Sequence, residues 1–279
     1  MDYDQFLKEA ASLLGLQWRE FRRRGVTRKV ERRIADVGLS GFEEYLARIG
    51  QDPKEQNHLS QILTVTISRF FRDKEVFHAL EASVIPALLK KKEKGDLRIW
   101  SIGCASGEEP YSLSLLCKGR FEKEWPGVRG RILATDIGEC LIERAKEGRY
   151  KRSSLEEIPE DIFRNFFNRD GESYLLDRTV RESVEFQRHD IIRDDPFPGM
   201  DIILCRNLAF TYFSRETQAE VLKKVSASLK EEGYLVIGKD ESLPLTYPTL
   251  FVPVFLTEKI YRKFTRPENS RTDVDRTAD

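Results

Sequence analysis

The chain has 279 residues, 40% hydrophobic and 34% charged, a balance that suits a folded protein with a sizeable core and excludes a disordered one. Its 47 basic and 47 acidic side chains cancel, so no global field draws it to nucleic acid and any basic patch has to be local. No apolar run reaches the length of a membrane span, and Met1-Asp2-Tyr3-Asp4 opens no signal-peptide pattern. The four cysteines, Cys104, Cys117, Cys140 and Cys205, form no C-x-x-C pair. Neither a zinc site nor a redox motif is expected, and free thiols in or beside strands fit a reducing cytoplasm.

Residues 1–92 contain no convincing strand and read as short helices. Val26, Val30, Ile34 and Val37 recur on one helical face, and Gly38 ends that helix. Ser40 with Glu43 then forms a capping box for the next helix, which carries Phe42, Tyr45, Leu46 and Ile49. Further helices are expected over 54–67 and 74–93, the second ending in a lysine-rich boundary. From 96 onward strands (97–102, 131–135, 201–205, 233–237) alternate with helices (108–118, 138–147, 215–230). That pattern predicts an α/β fold with a mostly parallel, doubly wound sheet. Residues 252–256 and 258–264 suggest an antiparallel hairpin at the sheet edge. Two short strand-like pieces within 172–187 suggest a small excursion from the sheet. The polar segment 266–279 reads as a disordered tail. The expected organisation is a helical N-terminal domain (1–92), a second domain (93–265) and the tail.

The densest signal is 97–110, an apolar strand running into the turn Gly103 to Gly107 and then a helix. A second strand ends on Asp136, whose carboxylate is placed to accept hydrogen bonds from ribose hydroxyls. A dinucleotide site wants G-x-G-x-x-G with pyrophosphate on the helix N-terminus. Here the turn is G-x-x-x-G followed at once by Glu108 and Glu109, which repel a pyrophosphate. They suit a phosphate-free ligand with cationic groups, such as S-adenosylmethionine, as well as the helix dipole itself. The interval from Gly107 to Asp136 also exceeds the roughly 20 residues of the dinucleotide fingerprint.

Four stretches together resemble the CheR-type methyltransferases that modify glutamates of chemotaxis receptors. They are Thr66-Ile67-Ser68-Arg69-Phe70-Phe71-Arg72-Asp73, Ser101-Ile102-Gly103-Cys104-Ala105-Ser106-Gly107-Glu108-Glu109-Pro110-Tyr111-Ser112, Ala134-Thr135-Asp136-Ile137 and Cys205-Arg206-Asn207. The likeness runs from about residue 16 to 262. It implies a Rossmann-like class I methyltransferase sheet behind an all-helical N-terminal domain, with S-adenosylmethionine as cofactor and S-adenosylhomocysteine as product.

The resemblance also implies roles. Arg72 pairs with the carboxylate of the methionine moiety, and Thr66, where the family more usually has Asn, lines that pocket with Ser68. Glu108 and the Gly103 turn flank the cofactor, Asp136 takes the ribose, and the chain passes the adenine at His189-Asp190-Ile191. Arg206 and Asn207 end the fourth strand beside the transferring methyl group, where Arg206 and Tyr212 are the expected catalytic pair. Without the resemblance, Arg72 reads as a surface residue pairing with Asp73 or Glu75, and His189 as a solvent-facing loop histidine.

The chemistry agrees with this set. A glutamate acceptor is ionised near neutral pH, so the enzyme needs alignment and exclusion of water rather than a general base. An arginine such as Arg206 can orient a carboxylate through two parallel hydrogen bonds. The loop Arg206-Asn207-Leu208-Ala209 lacks the N/D-P-P-Y/F signature of nucleic-acid amine methylation. Arg22, Arg23, Arg24, Arg28, Lys29, Arg32 and Arg33 crowd one helix and suit docking to an acidic protein acceptor, such as a chemoreceptor cytoplasmic region. Two features depart from the family. Five residues rather than four separate Arg206 from Tyr212, which on a helix turns the tyrosine by about 100°. Gly238-Lys239-Asp240-Glu241-Ser242 also departs from the usual wording. The alternatives are a same-fold methyltransferase with another acceptor, or a non-catalytic cofactor-binding module.

Overall fold

A computed structural model describes residues 1–16, 24–63, 68–92, 94–245 and 247–264. The expected tail at 266–279, together with Thr66, Arg22 and Arg23, lies outside the described residues. The chain opens with α1 (Tyr3–Leu13), α2 (Arg24–Asp36), α3 (Phe42–Gln51) and α4 (Pro53–Leu63). On α2 the expected face is inward: Val30 and Ile34 are buried, and Val26 and Val37 pack against the same core. The capping box is corrected by one residue. The helix begins at Phe42 with Gly41 as its N-cap, so Glu44 holds the third helical position. Its Oε2 accepts the Ser40 N–H at 2.9 Å, while Glu43 receives the N-terminal ammonium.

The long helix expected at 74–93 is α5 (Lys74–Ala79), a π-helical turn (Leu80–Val84) and α6 (Ile85–Leu89). There follow β1 (Gly95–Ile102), α7 (Glu108–Leu116), a second π-helical turn (Cys117–Phe121), α8 (Glu122–Glu124), β2 (Val128–Asp136) and α9 (Glu139–Glu147). Next come β3 (Arg149–Lys151), α10 (Glu160–Phe166), β4 (Phe167–Asp170), β5 (Ser173–Leu176), α11 (Arg178–Arg181) and β6 (Val184–Arg188). The chain ends with β7 (Met200–Cys205), α12 (Ala209–Tyr212), α13 (Arg215–Ser228), β8 (Leu229–Ile237), β9 (Phe251–Phe255) and β10 (Ile260–Lys263).

Seven strands form one sheet in the order β6-β2-β1-β7-β8-β10-β9. The first five are mutually parallel, and β10 runs antiparallel to both β8 and β9. The edge hairpin is therefore present, and the fold is the expected doubly wound α/β class. The 172–187 excursion is corrected in half. β5 does leave the main sheet, pairing with β3 and β4 in a separate three-stranded sheet, but β6 returns to the main sheet as its edge strand beside β2. Short, half-polar strands carry no sequence mark of the sheet they join.

The central strands are apolar on both faces, as parallel strands covered by helices must be. In β1, Leu97 and Ile99 face one core and Trp100 and Ile102 the other; in β7, Ile202 and Leu204 oppose Ile203 and Cys205. α5 and α6 pack in the first core with α7, whereas α1 to α4 pack in the second with α13. The first 92 residues thus divide between the two faces of the sheet. The end of α1 is tied to α13, because the Ser214 N–H donates to the Gly15 carbonyl at 2.8 Å and Leu16 bridges Phe213. This brings the first helix over the carboxyl ends of the central strands. No helix among the described residues is long and apolar enough to cross a membrane.

Candidate active site

The strand order reverses between β1 and β7, and the crevice outside the strand ends at such a point is where open α/β sheets bind ligands. Three of the five residues from Gly103 to Gly107 have left-handed backbone: Gly103 (φ 73°), Ala105 (φ 48°) and Gly107 (φ 91°). A side chain at 103 would also stand 2.6 Å from Leu208 Cδ2, so the turn needs glycine there twice over. Across the turn, Asp136 Oδ2 accepts the Ala105 N–H at 2.9 Å and Oδ1 the Gly138 N–H at 2.8 Å. Burial raises the Asp136 carboxyl above its ordinary value, against the pull of the Gly138, Ala105 and Ile137 N–H groups.

The two glutamates after the turn differ. Glu109 accepts from Ser101 Oγ at 2.8 Å on one oxygen and from Arg206 Nη1 at 3.1 Å on the other. Glu108 is buried with Oε2 unpartnered, and burial raises its carboxyl against the attraction of Arg144.

Beyond β6 the chain turns tightly. The His189 N–H donates to the Asp136 carbonyl at 3.0 Å, and the ring lies buried edge-on to Trp100, with Nε2 facing the Asp195 carbonyl at 3.1 Å. This corrects the solvent-facing reading of His189: apolar neighbours on the sheet face draw it in. Asp190 Oδ1 accepts the Ile192 N–H at 3.0 Å, and Lys224 Nζ of α13 reaches the carbonyls of Ile191, Ile192 and Asp194 at 3.1, 2.8 and 2.8 Å. Arg193 hydrogen-bonds Gln56 of α4, linking this turn to the N-terminal helices.

At the end of β7, Arg206 is buried. Its guanidinium contacts Asp73 Oδ2 at 2.5 Å, the Arg72 carbonyl at 2.9 Å and Glu109 at 3.1 Å. Neither Asp73 nor Glu75 takes Arg72. That side chain is exposed and has no partner among the described residues. Asn207 has left-handed backbone (φ 56°), and α12 starts two residues later. Tyr212 is the last residue of that short helix and is buried.

A cavity of about 360 Å³ joins these parts. Of the expected residues, Gly103, Asp136, His189, Asp190, Ile191, Asn207 and Tyr212 line it. Glu108, Arg206, Ser68 and Arg72 do not line it, and Thr66 is outside the described residues. The end of α1 with the residues after it, Ser12 to Leu16, and α4, through Asn57, Ser60 and Gln61, supply further wall. The sequence reading missed these. Asn57, Ser60 and Gln61 sit at i, i+3 and i+4, one uncharged polar face of α4, which was the available signal. Even with the backbone N–H groups of Ala105, Ile137 and Gly138 on it, the Asp136 carboxylate, with about four lone-pair sites, keeps acceptor capacity for a ribose. With Asp136 and Asp190 as its carboxylates, this donor and acceptor set fits a phosphate-free nucleoside carrying positive charge.

A model of the CheR methyltransferase, SAM binding domain, matches residues 66–260. The chain belongs to the CheR methyltransferase family. A chemotaxis protein methyltransferase of Listeria monocytogenes is 32% identical over 242 residues, 87% of this chain and 90% of that protein. Chemotaxis protein methyltransferase 2 of Pseudomonas aeruginosa is 29% identical over 248 residues, 86% of each chain. The chain is thus an S-adenosylmethionine-dependent methyltransferase of the CheR family, and the resemblance read from the four motifs holds.

Proposed function

We propose that the chain methylates glutamate carboxylates on the cytoplasmic region of a chemoreceptor-like protein. The observation that carries this reading is one cavity lined by Asp136 on one side of the strand-order reversal and by Asn207 and Tyr212 on the other. The names of the two relatives, both chemotaxis protein methyltransferases, support a chemotaxis acceptor, and the glutamate is what the family resemblance implies. In this reading the Asp136 carboxylate holds the ribose hydroxyls, and the Asp190-Ile191 turn takes the adenine. The Gly103 turn and Glu108 flank the cationic end, and Thr66, Ser68 and Arg72 take the methionine carboxylate. When bound, S-adenosylmethionine supplies an electrophilic methyl group on a sulfonium.

The acceptor glutamate is ionised near neutral pH, with an unperturbed pKa of about 4.3. The protein therefore has to align it and exclude water. Tyr212 and Asn207 form the acceptor-side wall. Arg206, engaged by Asp73, Glu109 and the Arg72 carbonyl, acts through the Arg72 turn rather than on the acceptor itself.

Residues 1–92 serve as the docking part and 93–265 as the transferase, in the cytoplasm. Arg28, Lys29 and Arg32 of α2 are exposed and suit an acidic receptor surface. Arg33 is engaged instead by Glu55. The test is incubation with methyl-labelled cofactor and a chemoreceptor cytoplasmic fragment. Base-labile label on its glutamates is expected, and label that resists base, or none, overturns the reading.

A further inference from the structure

The segment after β8, Gly238-Lys239-Asp240-Glu241-Ser242, has no part in the site as described so far. Yet Glu241 is a buried carboxylate there, only 4% exposed. Its Oε2 accepts the Asn207 N–H at 2.9 Å and the Gly238 N–H at 2.5 Å, and its Oε1 accepts the Thr211 hydroxyl at 2.7 Å. Three donors on two oxygens suit an acceptor-only carboxylate, and with the nearby Arg206 charge they oppose the burial that raises this carboxyl above its ordinary value. The fit is close. A side chain on residue 238 would stand 2.7 Å from Glu241 Oε2 and 2.6 Å from Asn207 Nδ2.

The two anchored residues bracket the acceptor-side wall. Asn207 carries a left-handed backbone (φ 56°), a conformation uncommon outside glycine. Thr211 immediately precedes Tyr212 on α12. The side chain of one residue on β8's exit thus clamps both ends of the loop leaving β7. We propose that Glu241 is the positioning residue of this loop, holding Asn207 and Thr211, and through them Tyr212, in the arrangement that methyl transfer requires. A glutamine at 241 removes the charge and can keep both backbone N–H groups on its oxygen only by turning its amide toward the Thr211 hydroxyl, which reverses that hydrogen bond. This role rests on the methyl-transfer reading of the cavity.

The test compares Glu241→Gln and Thr211→Val with the wild-type chain. It measures turnover on a chemoreceptor cytoplasmic fragment, KM for that fragment, the dissociation constant for S-adenosylmethionine by calorimetry, and circular dichroism. In Glu241→Gln, kcat is expected to fall by about tenfold or more, with acceptor KM and cofactor affinity each moving less than about threefold. Thr211→Val gives a smaller fall of the same kind. The double variant falls no further than Glu241→Gln, as members of one network do. Wild-type kcat in a folded Glu241→Gln protein, equal losses of turnover and cofactor affinity, or additive effects would each overturn the role. If Glu241→Gln fails to fold, unchanged kcat in Thr211→Val overturns it. No transfer by the wild-type chain overturns the methyl-transfer reading and this role together, whereas wild-type-like turnover in the variants removes this role alone.

Discussion

Arg206 reaches Asp73 across 133 residues of sequence, Nη2 to Oδ2 at 2.5 Å, and the same nitrogen donates to the carbonyl of Arg72 at 2.9 Å. Arg72 lies between two non-glycine residues with left-handed backbone, Phe71 (φ 52°) and Asp73 (φ 61°). Such residues cost about 1–3 kcal/mol each and persist where their surroundings over-determine them. Here the surroundings are a buried guanidinium, and Ser112, whose Oγ accepts the Phe71 N–H at 2.9 Å. The turn that presents Arg72 is thereby built onto the end of β7.

Removing the guanidinium leaves two carboxylates uncompensated. Arg206→Met is expected to lose about 3–5 kcal/mol of stability, measured by urea unfolding. Asp73→Asn keeps the shape and loses less, but loosens the Arg72 turn. Its cofactor affinity should fall several-fold by calorimetry, and wild-type affinity would show that the turn is not part of the cofactor site.

Neutralising either carboxylate beside the Gly103 turn, Asp136 or Glu108, is expected to weaken cofactor binding. Asp136→Asn, replacing a charged acceptor, is expected to weaken cofactor binding by about 10- to 100-fold, the worth of hydrogen bonds to a charged group. Glu108 is buried with an unpartnered oxygen and a carboxyl raised by burial. A raised carboxyl means the folded state holds the proton longer, so stability falls as pH rises through that range. Glu108→Gln should therefore raise the melting temperature of the cofactor-free protein at neutral pH by about 2–4 °C while weakening cofactor binding.

Acid stability should track Glu55. Its oxygens accept Arg33 Nε and Nη2, both at 2.8 Å, and Oε1 also accepts the Tyr45 hydroxyl at 2.8 Å. The Arg33 hydrogen bonds, chiefly, hold its carboxyl below the ordinary value. A depressed carboxylate stabilises the fold above its unfolded pKa of about 4.3, and that contribution is lost as pH falls through the folded value. The stability of the wild-type chain should thus decline below about pH 4.3. Glu55→Gln should start lower at neutral pH and show a shallower acid limb in denaturant unfolding.

Charge reversal at Arg28 and Arg32 tests the docking face. Both are exposed, so Arg28→Glu with Arg32→Glu should leave cofactor affinity within about twofold. It should raise KM for a receptor fragment, with a salt dependence weaker than that of the wild-type chain. Unchanged KM at low salt would remove α2 from the docking surface.

The strand–turn–helix from 97 to 110, Asp136 and the alternation of strands with helices were legible because they follow local rules. The apolar strands alternate between two cores, the turn requires left-handed residues, and an acid ends the second strand. The register of the hydrophobic pattern also predicted the faces of α2. By contrast, the destination of β6 was not legible, because a short strand with exposed polar residues pairs according to what lies beside it.

What the sequence by itself determined is the doubly wound sheet, the cofactor class and the family, each carried by short local patterns in the chain. What only the tertiary structure decided is the partnership of residues far apart. It engages Arg206 with Asp73 and Glu109, buries His189 against Trp100, brings Asn57 and Ser60 to the cavity, and sets Glu241 under Asn207 and Thr211. A side chain's type says how many hydrogen bonds it can make, but burial and distance determine which groups receive them. An arginine at a strand end reads as a free fork until the fold shows the two carboxylates already in it.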